Sequence, residues 1–392
     1  MFVMKVLEIF SSGFAAQILN IFLNIWFIWL PVVLFLICRE IWILYVQSYF
    51  VANISWILLE VKVPHNVFKS PQAMELIFNA FHNSSEGSRL EKYWKGFVKG
   101  WFSFEIASLG GKIKFFVRAP KAMKNLVEAQ IYAQYPEVEI TEVDDYSRAL
   151  PENIPNEDWK LWGVEFGLTK EDAYPIRTYM DFNLENVKEE MEKIDPMSSL
   201  LEFMSSIKEG ENVWFQILIR ASDNQWLEEG EKLKENISKK TKGKEEAPSR
   251  PLLPGETDLI KALDRNMAKL GFDAGIRVIY AARRDIFNPI NIASIIGVMK
   301  QYNSQNLNGF KSQRSTSGGF WFKKKREYRN QRLMIKAFRR RGYFYHPFQR
   351  KSFILSSEEL ATIYHYPGRV VSAPTFERGE RKKGTPPANL PI

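Results

Sequence analysis

The residues whose types and spacing could do chemistry lie in one basic segment near the C-terminal end of the chain. Residues 311–351 contain fourteen lysines and arginines and a single acid, Glu327. The segment therefore carries +13, whereas the whole chain of 392 residues carries +9, which leaves −4 for the remainder. The protein is a mildly acidic body with one strongly basic segment, and such a segment attracts polyanions.

Aromatic side chains interleave with these cations over residues 310–345. Lysine and arginine neutralise phosphates while aromatic faces stack on bases, so the pattern predicts binding of DNA or another nucleic acid. Anionic lipid at a cytoplasmic membrane face would be held by the same composition. A solvated, partly helical segment whose aromatics pack on the domain would also show it. The candidate binding residues are Trp321, Lys323, Lys324, Lys325, Arg326, Arg329, Arg332, Arg339, Arg340 and Arg341.

The sequence contains none of the common active-site motifs. It has no G-x-x-x-x-G-K-[ST] phosphate loop, no G-x-G-x-x-G and no H-E-x-x-H. Its four histidines stand apart from one another, and the single cysteine, Cys38, excludes an internal disulfide and a multi-cysteine zinc site. We therefore expect a protein that is not an enzyme and that holds no cofactor or metal.

An apolar run near the N-terminus predicts a transmembrane helix. Residues 18–37 carry no charge, and twenty helical residues extend about 30 Å, the thickness of the hydrocarbon core. Residues 39–55 are expected to continue this helix out of the bilayer, with a second span as the alternative. Arg39 and the basic body follow the run, so the positive-inside rule predicts a single-pass protein of the inner (cytoplasmic) membrane with its body in the cytoplasm.

The hydrophobic periodicity beyond the membrane helix predicts two copies of one small fold. Residues 56–146 follow the order β-α-β-β-α-β of a ferredoxin-like domain. The order repeats over residues 160–303, where 175–180 is expected to be a strand. Residues 223–271 form an insertion in place of a tight hairpin, and its charged, proline-rich middle, 239–256, should be mobile.

The expected fold class is α+β: a transmembrane helix, two ferredoxin-like (βαββαβ) repeats, the second with an insertion, and a basic helical C-terminal region. The expected domains are the membrane helix with its membrane-proximal continuation (1–55), the first repeat (56–146), a linker (147–159), the second repeat (160–303), the basic aromatic segment (304–350) and a C-terminal helix with an extended proline-rich end (351–392).

Two regions of the chain resemble known proteins. The stretch SSEELATIYHYPGRVVSAPTFERGERKKGTPPANLPI (356–392) resembles the segment that leads into the motor domain of conjugative, type IV secretion-type DNA-pumping ATPases. A helix like EELAT, an H-x-P-G turn and a proline run carry this resemblance. Upstream, WFSFEI (101–106), KIKFFVRAPKAMKNLVEAQIYAQYPEVEI (112–140) and MSSLLEFMSSIKEGENVWFQILIRA (197–221) resemble a membrane-anchored bacterial domain of unassigned function found before or beside such ATPases.

The resemblance implies a membrane-tethered, non-enzymatic subunit that anchors or orients a cytoplasmic DNA-translocating ATPase. The chain ends where the motor would begin, so we expect the lipid bilayer and a separate Walker-type ATPase as partners, and a homo-oligomer if that ATPase is hexameric. The alternative is a membrane-anchored nucleic-acid-binding protein that acts through residues 310–345. The residues that the resemblance assigns to ATPase docking are His365, Pro367, Gly368, Pro386, Pro387, Asn389 and Pro391.

Overall fold

A computed structural model of the protein describes residues 24–64, 69–82, 87–182, 195–241, 253–319 and 321–367. The described helices are α1 (Trp26–Ala52), α2 (Pro71–Ala80), α3 (Lys124–Gln134), α4 (Ser198–Ser205), α5 (Gln225–Thr241), α6 (Pro254–Met267), α7 (Ile290–Met299), α8 (Lys323–Arg339) and α9 (Ser357–Ile363). The described strands are β1 (Trp56–Lys62), β2 (Phe102–Leu109), β3 (Lys112–Pro120), β4 (Glu139–Glu142), β5 (Trp159–Leu168), β6 (Glu211–Ala221), β7 (Gly271–Arg283), β8 (Phe310–Ser315) and β9 (Phe353–Ser356).

These residues form two compact units. One unit contains α1 and residues Gly87–Val98, and the other contains the rest of the described chain. Helix α1 is 27 residues long, and it is the one described helix that is long and apolar enough to cross a membrane. It passes through Pro31 without a break, so residues 39–52 continue the first helix rather than form a second span. The start of the uncharged run, 18–23, lies outside the described residues.

The larger unit is built on a nine-stranded antiparallel sheet. Eight strands follow the order β4-β1-β3-β2-β6-β7-β5-β8, and β9 pairs with the first residues of β7. The order within β5–β8 mirrors the order within β1–β4, and the two blocks meet where β2 pairs with β6, from Phe102 opposite Ile219 to Leu109 opposite Asn212. One continuous sheet therefore carries both halves of the sequence.

Helices cover both faces of this sheet. Side chains alternate along each strand, so in β3 Phe115 and Val117 belong to one core and Phe116 to the other. The first core is closed by α2, α3, α4, α7 and α9, and the second by α8, which contributes Met334, Ile335 and Phe338. The α8 helix is thus the element that covers the second face, and its position follows from these three apolar side chains.

Three expectations differ from the structure. Residues 175–180 are not a strand, because their N–H groups bond elsewhere: Ile176 donates to Glu359 Oε1 (2.8 Å) and Tyr179 to Thr362 Oγ1 (3.0 Å). The sheet does not end at residue 303, because β8 pairs with β5. The insertion between β6 and β7 begins and ends with helices α5 and α6, which contact each other. Of the middle that was expected to be mobile, 239–256, the first residues belong to α5 and the last to α6, and residues 242–252 lie outside the described residues.

Candidate nucleic-acid interface

The basic segment divides into an exposed half and a buried half. Lys323, Lys324, Lys325 and Arg326 form the exposed first turn of α8, and Arg329 is exposed one turn later. Before the helix, Trp321 is 72% exposed and Phe322 79%. We call the residues 321–332 on this side of the helix the cationic face; they include six lysines and arginines and one acid, Glu327.

The helix terminus adds to the positive potential of the cationic face. The N-terminal end of a helix carries a partial positive charge because its first N–H groups lack intrahelical partners. Three lysines and an arginine in that first turn oppose this dipole instead of complementing it, and no side chain caps the helix at Phe322. A bound anion would relieve both repulsions. The geometry therefore favours phosphate or another anionic group here.

A groove runs beside the cationic face. Its volume is about 810 Å³, which falls in the usual range of small-molecule sites. It mixes basic, acidic and amide side chains, so it could receive a sugar or base next to the phosphates on the helix. The lining residues are Asn153, Pro155, Asn156, Glu157, Asp158, Lys160, Arg284, Lys324, Glu327, Tyr328, Gln331 and Arg332.

The other half of α8 fixes the helix to the sheet. Phe338 is fully buried and its ring lies 5.2 Å from that of Trp214 on β6. Immediately after the helix, Tyr343 and Phe344 are also buried. These three aromatics pack on the domain, which is the third of the alternatives that the sequence left open for the segment. None of them is accessible to a base.

Arg341 does not belong to a binding surface, contrary to the sequence prediction. Its side chain is 1% exposed and forms two hydrogen bonds of 2.9 Å with the Glu105 carboxylate, and it also pairs with Asp145. Burial alone would raise the pKa of Glu105, but the charge and hydrogen bonds of Arg341 hold it below its usual value. Arg341 therefore forms a buried ion pair with Glu105 and a second ion pair with the partly exposed Asp145. These two carboxylates occupy the position that a phosphate would need.

Arg339 is likewise committed to the protein, while Arg340 remains available. The Arg339 guanidinium donates to the carbonyl oxygens of Ser147, Leu150 and Pro151 at 2.7–3.2 Å. Arg340 is exposed, with its guanidinium 5.8 Å from the ring centre of Phe348. Backbone carbonyl oxygens thus occupy the Nε and Nη2 donors of Arg339, and this half-buried side chain contributes less to the surface than the sequence predicted.

A row of polar residues that was not predicted from the sequence crosses the second face of the sheet. The register aligns Glu105 with Gln216, Gln216 with Arg277, and Arg277 with Glu165. Gln216 donates to Glu105 (3.0 Å) and accepts from Arg277 (3.1 Å), which in turn donates to Glu165 (2.7 Å). The signal was present in the sequence as one polar residue in the middle of each apolar strand. The row joins both halves of the sheet.

The end of α8 is bonded to this row. Arg341 binds Glu105, the carbonyl of Gly342 accepts from Arg277 (3.2 Å), and Arg350 donates to Glu165 (3.3 Å). The C-terminal end of the helix is thereby fixed at the middle of the sheet. Because a helix is stiff, fixing one end also fixes the direction in which the cationic face points.

Arg314 on β8 and Arg350 extend the positive surface beyond the predicted residues. Partial burial, together with the charges of Arg350 and Arg329, holds the pKa of Arg314 below its usual value. Arg350 donates to the Glu165 carboxylate (3.3 Å), and the charge of Glu165 offsets part of this repulsion. Both arginines belong to the basic segment 311–351, but they were not among the candidate binding residues.

The residues assigned to ATPase docking do not form a surface within the described chain. His365 is 2% exposed, its Nδ1 lies 2.8 Å from the Ala361 carbonyl and its Nε2 lies 3.1 Å from Asp195 Oδ1. Pro367 is buried as well. Both residues are buried directly after the core helix α9, contrary to the docking prediction. Gly368, Pro386, Pro387, Asn389 and Pro391 lie outside the described residues.

Glu359 in the same core helix gives the fold a pH dependence. Burial raises the pKa of Glu359 to about 7, although the N–H groups of Ser356 and Ile176 donate to it. The native state therefore binds this proton more tightly than the unfolded state does. As the pH rises from about 4.5 to about 7, the free energy of unfolding should fall by on the order of 3 kcal/mol. Denaturant unfolding of the full chain in detergent across this range measures the slope.

The variant Glu359→Gln should flatten that slope, because glutamine keeps an accepting oxygen and does not titrate. Glu202→Gln, at an exposed position of α4, is the matched control and should leave the slope unchanged. Equal slopes for the parent and Glu359→Gln would show that the carboxyl does not titrate in this window.

Comparison with known proteins gives a family but no activity. No curated protein matches the chain. A family model described as a domain of unknown function, DUF8128, matches residues 55–378. The match covers both halves of the sheet, α8 and α9, and it begins after the membrane-type helix. The chain therefore belongs to the DUF8128 family.

Proposed function

We propose that the protein is a membrane-tethered, non-enzymatic subunit that holds nucleic acid beside a DNA-translocating ATPase. The observation that carries the nucleic-acid part is the cationic face, on which six lysines and arginines, one acid and two strongly exposed aromatics share the start of one anchored helix. Cations of this density follow a phosphate backbone, and exposed aromatics stack on bases. Single-stranded DNA fits both features better than a plain lipid surface does.

The proposed tether is α1. None of the residues in its most apolar stretch is buried, and a helix that is apolar on all sides needs apolar surroundings. Arg39 and the basic segment follow the helix in sequence, which supports an inner-membrane location with the larger unit in the cytoplasm. A tethered binding surface raises the local concentration of its ligand at the membrane.

We further propose that the two halves of the large sheet are ferredoxin-like repeats joined edge to edge. The strand order β4-β1-β3-β2 within a β-α-β-β-α-β sequence supports this assignment for the first half, and the mirrored order of β5–β8 supports it for the second. In this proposal the repeats serve as a rigid platform, and the polar row that joins them holds α8 in place.

The ATPase remains a proposal drawn from the resemblance of residues 356–392 to the segment that precedes such motors. Because His365 and Pro367 are interior, contact with a separate Walker-type ATPase would fall to residues after 367, among them Gly368, Pro386, Pro387, Asn389 and Pro391. A hexameric ATPase would make the chain a homo-oligomer. In this arrangement the motor does the chemical work and this chain positions the DNA.

Replacing Trp321 with alanine tests the stacking contribution. If the indole stacks on a base, the variant should bind single-stranded DNA about 1–3 kcal/mol more weakly than the parent, while the dependence on salt stays the same because no charge is lost. Fluorescence anisotropy of a labelled oligonucleotide, with the full chain in detergent, measures both quantities. Tyr132→Ala removes an exposed aromatic of the same unit far from α8 in sequence and is the control. Equal affinities for Trp321→Ala and Tyr132→Ala would exclude stacking at Trp321.

A further inference from the structure

Residues Gly87–Val98 form a short structure that is held against helix α1 within the same compact unit. The Trp42 indole Nε1 donates to the Tyr93 carbonyl (2.9 Å), and the rings of Trp42 and Trp94 meet edge to face with centroids 6.1 Å apart. Phe97 packs on Phe50 in the same way at 5.7 Å. The segment is therefore docked along the second half of the helix by ring contacts and one hydrogen bond.

Glycine at position 96 makes this docking possible. Gly96 has a φ of +66°, in the left-handed region, and a Cβ there would lie 2.2 Å from the carbonyl oxygen of Val46. Any side chain would push the segment off the helix. The sequence thus specifies contact between residues 88–97 and α1.

The docked segment leaves its largest apolar groups exposed. Leu90 is 70% exposed and Trp94 69%, while on the helix Tyr45 is 61% exposed. Large aromatic and aliphatic side chains clustered on a surface indicate a binding partner. Tryptophan and tyrosine, with an apolar body and one polar atom, are the residue types enriched where a membrane meets water.

The charges of the segment suit the same location. Arg89, Lys92 and Lys95 stand against one acid, Glu91, whose carboxylate accepts from the backbone and side chain of Ser88. A cationic surface beside exposed aromatics attracts anionic lipid headgroups at the cytoplasmic face. A water-soluble protein partner would need a complementary acidic and apolar patch, whereas a bilayer that surrounds α1 presents both properties at once.

The position of these aromatic residues along α1 also agrees with the headgroup region of a membrane. The uncharged run ends at Ile37, the Arg39–Glu40 ion pair follows, and Trp42 and Tyr45 come next. One headgroup region is about 5–8 Å thick, and the helix rises about 4.5 Å from Arg39 to Trp42 and about 9 Å to Tyr45, so Trp42 lies within this region and Tyr45 at its outer limit. Trp94 lies at the level of Trp42, because the two rings touch.

We propose that residues 88–97, together with Trp42 and Tyr45, form a collar that lies in the headgroup region of the membrane and binds anionic phospholipid. The collar sets how deeply α1 sits, because Trp94 and Leu90 resist leaving the interface and the lysines resist entering the hydrocarbon. The inference rests on the proposed membrane tether, and it adds a second lipid contact from a part of the chain distant in sequence from α1.

Site-directed fluorescence quenching tests the collar. The chain has one cysteine, Cys38, so the background Cys38→Ser allows a single label at Leu90→Cys or, as a control, at Ile290→Cys. Leu90 and Ile290 are 70% and 69% exposed, which makes them a matched pair. The full chain, labelled with a small fluorophore, is reconstituted in vesicles of zwitterionic and anionic phospholipid that carry a nitroxide on the headgroup or deep on an acyl chain.

We expect the label at position 90 to lose about half of its fluorescence with the headgroup nitroxide, and the label at 290 to be unaffected. The natural Cys38, labelled in the parent, lies next to Arg39 at the edge of the hydrocarbon and should respond to both nitroxides. If position 90 behaves like position 290 while Cys38 is quenched, the collar is overturned and the tether stands. If Cys38 responds to neither nitroxide, the tether itself is wrong and the collar falls with it.

Discussion

Replacing Arg341 with alanine is expected to lower the free energy of unfolding by about 3–5 kcal/mol, because a buried carboxylate would lose its cation. Glu105 is fully buried and accepts hydrogen bonds from Ser103, Tyr146 and Gln216 in addition to Arg341. Those neutral donors orient the carboxylate but cannot neutralise it. Denaturant unfolding of the full chain in detergent gives the free energy.

The neighbouring residue supplies the control for this prediction. Arg340→Ala removes the same side chain from an exposed position and should change the free energy of unfolding by less than about 0.5 kcal/mol. The double variant Arg341→Ala with Glu105→Gln should recover part of the loss, because glutamine leaves no unpaired charge and its oxygen still accepts from the neighbouring donors. If Arg341→Ala were no more destabilising than Arg340→Ala, Arg341 would be free for a ligand and the division of the basic segment would be wrong.

Replacing Lys323, Lys324, Lys325 and Arg326 together with glutamine is expected to weaken binding of single-stranded DNA by roughly 10²- to 10³-fold at about 0.1 M salt. The estimate follows from counterion release, because each lost phosphate contact removes about 0.7 from the slope of log affinity against log salt concentration. Glutamine keeps the helix propensity of lysine and arginine, so α8 should remain folded. Anisotropy titration of a labelled oligonucleotide measures the loss.

A charge-matched variant distinguishes the loss of direct contacts between α8 and DNA from the effect of a lower net charge on DNA affinity. Replacing Lys121, Lys208, Lys232 and Lys261 with glutamine removes the same four charges from exposed positions elsewhere in the larger unit. This variant should lose less than about tenfold, since distant charges act only through the screened field of the protein. Equal losses in both variants would mean that the chain attracts DNA by net charge alone. Loss of binding to anionic vesicles but not to DNA would favour the lipid interpretation of the segment.

The sequence predicted best where one face of an element is apolar and the other is not. The spacing of Met74, Ile77 and Phe78 predicted α2, and all three side chains are buried on the sheet. Alternation over 56–64 predicted β1 as a half-buried strand, but β1 is buried on both faces. The sequence also predicted β2 and β3, and Gly110–Gly111 predicted the turn between them; both glycines have positive φ. Local periodicity suffices for such elements because burial of one face decides their conformation.

The interface was harder to predict because it depends on contacts between distant parts of the chain. Nothing near Arg341 in sequence distinguishes it from Arg340, yet its partners Glu105 and Asp145 lie 236 and 196 residues away. Likewise His365 and Pro367 have the composition of a surface turn but are buried directly after α9, a helix that lies wholly in the core. A run of cations reveals a positive segment, but only the register of the sheet decides which of them face solvent.

The central claim is that the cationic face of α8 contacts nucleic-acid phosphates directly, and the salt dependence of DNA binding by the full chain in detergent tests it most directly. Six contacts from this face predict a slope of log affinity against log salt concentration near −4 for single-stranded DNA. The variant with glutamine at positions 323–326 should give a slope shallower by about 3, and the charge-matched variant should keep the parental slope. Parallel slopes for the parent and the 323–326 variant would contradict the claim.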